Sequence, residues 1–141
     1  MSGRVVALDY GSARCGLAVS DPTRTLATPL DPVLQPATRR GFGRLVAVIG
    51  ALEPQVVVVG LPLSLSGADS EQTRETRAFV ERLRDRLDVP IEVYDERFTT
   101  KLARRSGGAK AEDSRAAAVL LEGWLARGPS HEPHPDPTEE P

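Results

Sequence analysis

Two residue types on which catalysis often depends are nearly missing from this chain of 141 residues: there is one cysteine, and both histidines, His131 and His134, fall in the last eleven positions. A single cysteine excludes an internal disulfide, and Cys15, with no histidine nearby, offers neither a zinc site nor a Cys-His nucleophile. It reads as a small core residue. A catalytic base in the folded part must therefore be something other than histidine. Long apolar runs are absent too, none approaching the roughly 20 residues that a membrane span needs, so no membrane partner is expected. The start, "MSGRVVALD", enters a strand-like run without the apolar stretch and small-residue cleavage site of a signal peptide, which makes the cytoplasm the expected location. Aromatic residues are few: Tyr10, Phe42, Phe79, Tyr94, Phe98 and Trp124. Most fall on stripes that face a core, so stacking on nucleic-acid bases is expected to be minor.

What is present is charge, unevenly spread. The formal net charge is −2, yet residues 129–141 hold four acids, five prolines and no Lys or Arg, so the remainder carries 18 basic against 16 acidic residues. A Pro-rich acidic segment with no apolar anchor is expected to be disordered. Residues 1–128 are read as one domain and 129–141 as its tail.

Hydrophobic patterning within 1–128 predicts an α/β fold. "RVVALD" (4–9) and "CGLAVS" (15–20) are short apolar runs separated by a Gly-containing turn, a hairpin signal. Residues 25–34 read as a third strand, demoted to a sheet edge by Pro29 and Pro32. Thr38 caps a helix with Phe42, Leu45, Val46, Ile49 and Leu52 on one stripe, stopped by Pro54. "QVVVVG" (55–60) is a strand buried on both faces. Asp69, with Gln72 three residues on, opens a second helix carrying Thr76, Phe79, Val80, Leu83 and Leu87 inward. "IEVYD" (91–95) is the fifth strand, and a last helix over about 113–127 buries Ala117, Leu120, Leu121, Trp124 and Leu125 before Gly128-Pro129 ends it. Strands joined through helices pair in parallel, giving one mixed five-stranded sheet with helices packed on its faces.

In that arrangement the acids at strand ends and helix starts stand out, because the carboxyl ends of parallel strands face the rim where open α/β sheets collect ligands. Asp9 ends the first strand, Asp95 and Glu96 end the last, and Asp113 begins the last helix. Taken singly, each has an ordinary alternative: a turn former, a surface ion pair with Arg97, a helix cap. Three converging carboxylates with no cation among them repel one another, and hard oxygen donors select Mg²⁺ or Mn²⁺. Two such ions about 4 Å apart activate water and stabilise a leaving oxygen in phosphodiester hydrolysis. The stretch "RFTTKLARRSGGAK" (97–110) adds five cations and no acid. A helix over 99–106 would put Lys101, Arg104 and Arg105 on one face suited to a phosphate backbone, against the plainer reading of a solvated surface. "GLPLSLSG" (60–67) reads equally as a phosphate-touching loop and as a plain connection.

The stretches "ALDYGSARCGLAVSDP", "VVVGLPLSLSG", "YDERFTT" and "DSRAAAVLLEGWL", in this order over residues 4–127, resemble the YqgF/RuvX family of pre-16S rRNA nucleases, relatives of Holliday junction resolvases with an RNase H-like fold. The resemblance implies that Asp9, Glu96 and Asp113 are the catalytic, metal-binding acids, preferring Glu96 to Asp95. It also implies trimming of the 5′ end of the 16S ribosomal RNA precursor, with Arg14 and Arg97 near the substrate. Gly11, Arg14, Arg97, Lys101 and Lys110 are the candidate substrate-binding residues. One departure is that only twelve residues separate Thr100 from Asp113, where relatives usually carry a longer segment, which would widen the cleft or relax substrate choice.

Three other readings compete. A resolvase or other DNA nuclease would use the same acids, as a dimer for symmetric cutting, and the residues alone leave monomer or homodimer, and pre-rRNA or structured DNA, open. A non-catalytic nucleic-acid-binding domain is disfavoured by carboxylates that repel phosphate unless a metal neutralises them. An actin-like ATPase needs two lobes, and this chain has residues for one.

Overall fold

The computed structural model describes residues 3–63, 66–96 and 112–127, with the backbone alone for Glu112 and Asp113. A strand β1 (Val5–Asp9) turns into β2 (Arg14–Ser20) and then β3 (Ala27–Leu34), all antiparallel. After them α1 (Arg39–Leu52), β4 (Val56–Leu61), α2 (Glu71–Arg86), β5 (Ile91–Asp95) and α3 (Glu112–Ala126) alternate. The sheet order is β3-β2-β1-β4-β5, with β4 parallel to both β1 and β5. The mixed five-stranded sheet expected from the patterning is therefore the one observed, and the proline-bearing β3 is an edge strand.

β1 and β4 sit at the centre and bury side chains on both faces, which is why neither shows alternation in sequence. On one face Val6, Leu8, Val57 and Val59 meet Phe42, Leu45 and Ile49 of α1 and Phe79, Val80 and Leu83 of α2. On the other, Val5, Ala7, Val56 and Val58 meet Ala117, Leu120, Leu121 and Trp124 of α3. Four alanines, Ala7, Ala18, Ala117 and Ala118, are buried in this second layer, where a single helix packs on the sheet. Each large side chain withdrawn from water, such as Leu8, Leu45 or Leu120, contributes about 1.5–3 kcal/mol.

Helix ends are closed by short polar side chains. Thr38 caps α1, its hydroxyl accepting from the Gly41 amide at 3.0 Å, and Glu53 takes the left-handed conformation (φ 52°) before Pro54. The expected Asp69 cap of α2 is corrected: Ser70 is the cap, in a reciprocal pair with Thr73. Thr73 replaces the glutamine or glutamate of the usual box; it is buried, and its hydroxyl also donates to the Pro62 carbonyl. Asp69 instead accepts two bonds from Arg77 at 3.1 Å, which hold its carboxyl below the usual range.

The third strand begins two residues later than its composition suggests. Asp21 is the reason. Its carboxylate accepts from the Thr23 hydroxyl and from the amides of Leu26 and Thr25, closing residues 21–26 into a loop and holding its carboxyl far below the ordinary value.

Candidate active site at the carboxyl rim

Strand alternation decides which side chains reach which face. Val5 and Ala7 lie against α3, so Asp9, two further on, belongs to the α3 face at the very end of β1. It is held there by the antiparallel ladder, opposite Gly16. On β4, Val56 and Val58 face α3, and Gly60 follows them at the same rim. On β5, Tyr94 packs against the α3 layer and Glu92 accepts from the Trp124 indole nitrogen at 3.1 Å. Asp95, between Tyr94 and Glu96, alternates toward the opposite face.

Gly60 shows where Glu96 goes. A Cβ built on Gly60 would lie 2.8 Å from Glu96 Oε2, 3.0 Å from Glu96 Cγ and 3.1 Å from Leu120 Cδ2. The missing side chain is thus the space through which the Glu96 carboxylate reaches back over β4 toward β1. Asp9, which ends β1, and Glu96, which follows the last residue of β5, thus lie on either side of β4 at one end of the sheet.

The third acid arrives by a different device. At the β2 bulge between Cys15 and Leu17, the Leu17 amide donates to Ser114 Oγ at 3.3 Å, and both residues are buried. Leu17 is opposite Leu8, the residue before Asp9. This bond fastens the first turn of α3 at the level of Asp9 and places the Asp113 backbone, one residue earlier, at the same rim. The Asp113 side chain lies outside the described residues. Replacing Ser114 with Ala should leave the Leu17 amide buried and unpaired, a loss of about 1–3 kcal/mol by denaturant titration. A loss near zero would mean that the bond does not anchor the helix.

Among the described residues no three His, Cys, Asp or Glu side chains gather closely enough to hold a cation, and Asp9 and Glu96 are the two candidate acids within them. The donor chemistry nevertheless fits a hard divalent cation: carboxylate oxygens at an open rim, with no histidine among the described residues.

Of the substrate-binding candidates, Gly11 lies in the β1–β2 turn and Arg14 is exposed at the start of β2. Arg97, Lys101 and Lys110, with the rest of the basic stretch 97–110, lie outside the described residues, as do residues 128–141. Two clefts flank the turn. One, of about 360 Å³, is lined by Tyr10, Gly11, Ser12, Glu71, Gln72 and Glu75. Tyr10 stacks on Phe79 with ring centres 4.1 Å apart, and burial, reinforced by the charge of Glu75, pushes its hydroxyl pKa up. The other cleft, on the side of Arg14, is basic. Sequence reasoning missed Gly60, Ser114 and this basic cleft. The glycine that interrupts a valine run and the serine beside Asp113 were the available signals.

Comparison with known proteins agrees with this architecture. The family model described as "RuvX: Holliday junction resolvase" matches residues 3–127. A protein of Koribacter versatilis named "Putative pre-16S rRNA nuclease" is 39% identical over 134 residues, covering 89% of this chain and 88% of the relative. One of the same name from Roseiflexus sp. is 42% identical over 132 residues, covering 87% and 94%. Among solved structures, Thermus thermophilus RuvC in complex with a Holliday junction substrate superposes with a TM-score of 0.56 at 18% identity, over 89% of this chain and 96% of that one. That likeness identifies the sheet and its helices as RNase H-like. With a family model spanning nearly every described residue and relatives this similar along most of both chains, the chain belongs to the RuvX family.

Proposed function

We propose that this chain is a metal-dependent nuclease that hydrolyses phosphodiester bonds in nucleic acid, with the 5′ end of pre-16S rRNA as its substrate in the cytoplasm. The observation that carries this reading is that Asp9 ends β1 while the Glu96 carboxylate lies over Gly60 at the same end of the sheet, where Ser114 fastens the first turn of α3. The names of its relatives support the choice of RNA.

Asp9, Glu96 and Asp113 would hold the cation, Mg²⁺ or Mn²⁺. When bound, it supplies activation of water and relief of charge on the leaving oxygen. The chain itself supplies rigidity. Asp9 is fixed by a strand ladder, and Glu96 has the extra methylene that lets it cross Gly60. Arg14 stands two residues along β2 from the partner of Asp9, with a guanidinium able to take a phosphate by two hydrogen bonds. Hydrolysis adds water across one P–O bond and leaves a phosphate end and a hydroxyl end, so no histidine or thiol intermediate is required.

The family description and the RuvC fold favour a second reading, resolution of four-way DNA junctions by a homodimer. End-labelled single-stranded RNA, single-stranded DNA and a four-way junction, each incubated with Mg²⁺ or Mn²⁺, separate the two. RNA cut fastest supports precursor processing. Symmetric cutting of the junction alone would transfer the activity to resolution, and binding of any of them without cutting would leave a binding module.

A further inference from the structure

We propose that the basic cleft beside the β1–β2 turn is a track for the phosphate backbone, carrying single-stranded RNA away from the acids. The inference rests on the nuclease reading for what occupies the rim, but its own observations are separate. The cleft encloses about 470 Å³ between the start of β2, the end of β3 and the first turns of α1, and Arg14, Arg40 and Arg44 line it with no carboxylate among the lining residues. Arg40 and Arg44 are four residues apart and share a helix face.

These charges are placed where a helix does not favour them. α1 has Arg39 and Arg40 in its first turn and no acid there, although the helix dipole makes cations at an N-terminus unfavourable. An anion in the cleft would reverse the sign of that interaction. The walls are also fixed. The Gln35 amide donates to the Ala13 carbonyl at 2.8 Å, and the Gln35 carbonyl accepts from the Thr38 amide at 3.1 Å and its hydroxyl at 2.8 Å. Gly41 lets that carbonyl pack against the helix, since a Cβ there would lie 1.9 Å from Gln35 O. The arginine stems therefore spring from a rigid frame.

Position supplies the route. Arg14 is two residues along β2 from Gly16, the partner of Asp9, roughly 7 Å at strand spacing. The cleft on the other side of the turn is lined by Glu71 and Glu75, which repel phosphate. Among the described residues, a polyanion leaving the acids on the α3 face meets Arg14 at the rim, and Arg40 and Arg44 continue that positive charge across the sheet end toward α1. Guanidinium forks match phosphate geometry and bind it without reading sequence.

The test is fluorescence anisotropy of the wild-type chain and an Arg40→Gln/Arg44→Gln variant with a labelled single-stranded RNA of about 16 nucleotides, in EDTA so that nothing is cut. The variant should bind about tenfold more weakly at moderate salt, and its plot of log affinity against log salt should be shallower by about 1.4, the value for two lost phosphate contacts. Arg40→Lys/Arg44→Lys should keep the wild-type slope, which a purely structural role of the arginines would not require. Equal affinity and slope for the Gln variant, with an unchanged melting temperature, would overturn the proposal. The nuclease reading fails separately, by absence of metal-dependent cutting in the wild type, and weaker RNA binding by the Gln variant would still stand in that case.

Discussion

Gly60→Ala is expected to lower metal-dependent cleavage by about 100-fold while leaving the protein folded. The added methyl would sit 2.8 Å from Glu96 Oε2, closer than such atoms approach, and 3.1 Å from Leu120 Cδ2, a tight contact that a shift of a few tenths of an ångström relieves. The carboxylate is the end of a flexible side chain and yields first, so the conflict is relieved by swinging Glu96 out of its place over Gly60. Displacement by about 1 Å is enough for a loss of this size when catalysis depends on positioning. The stability cost is modest by comparison, about 1–3 kcal/mol of overpacking against Leu120, offset in part by about 0.5–1 kcal/mol from the lower backbone entropy of alanine. Cleavage kinetics and a thermal melt on the same preparation check both halves. Glu96→Gln should show a comparable loss, and the double variant little more than either, because both changes remove one function. Near wild-type activity in Gly60→Ala would mean that the Glu96 carboxylate is not needed where the structure puts it.

The fold was legible in the sequence because its strongest signals are local. Four consecutive valines without alternation define a strand buried on both faces, and β4 is that strand. Two prolines in one strand place it at an edge, and β3 is there. Elements whose limits depend on a particular side chain were less legible. Asp21 and Ser70 show why: a carboxylate closing a loop on backbone amides, and a serine in place of the neighbouring aspartate as cap, are choices made by geometry several residues away. Asp69 was as good a cap by composition but is occupied by Arg77.

The candidate site was legible in part for the same reason. That Asp9 ends a strand is a local fact. That Glu96 and not Asp95 faces α3 depends on Gly60, a residue on a neighbouring strand 36 positions earlier in the sequence. The fixing of α3 by Ser114 depends on a bulge in β2, 97 residues away. The Arg14–Arg40–Arg44 cleft joins an arginine that begins a strand to two from the short run 39–44 that begins a helix, and only folding brings them together. The longer basic stretch 97–110 drew attention, while the pairing of Arg14 with the run at 39–44 is made by folding alone.

Asp9→Asn isolates the proposed role of the carboxylates at this rim, which is to hold a metal ion for phosphodiester hydrolysis. Asparagine has nearly the same shape and keeps one oxygen, but it lacks the negative charge that holds a divalent cation. Because the side chain is at the end of a strand whose core positions are Val5 to Leu8, the substitution should leave folding intact. Cleavage should fall by at least about 100-fold, the scale of losing one preorganised catalytic group, and higher Mn²⁺ should recover part of it if the defect is in metal affinity. The measurement to make is single-turnover cleavage of end-labelled single-stranded RNA across a Mg²⁺ and Mn²⁺ titration, wild type beside Asp9→Asn. Metal-dependent cutting by the wild type should be all but lost in the variant. Equal cutting by the two proteins, or cutting by the wild type that persists in EDTA, would contradict it.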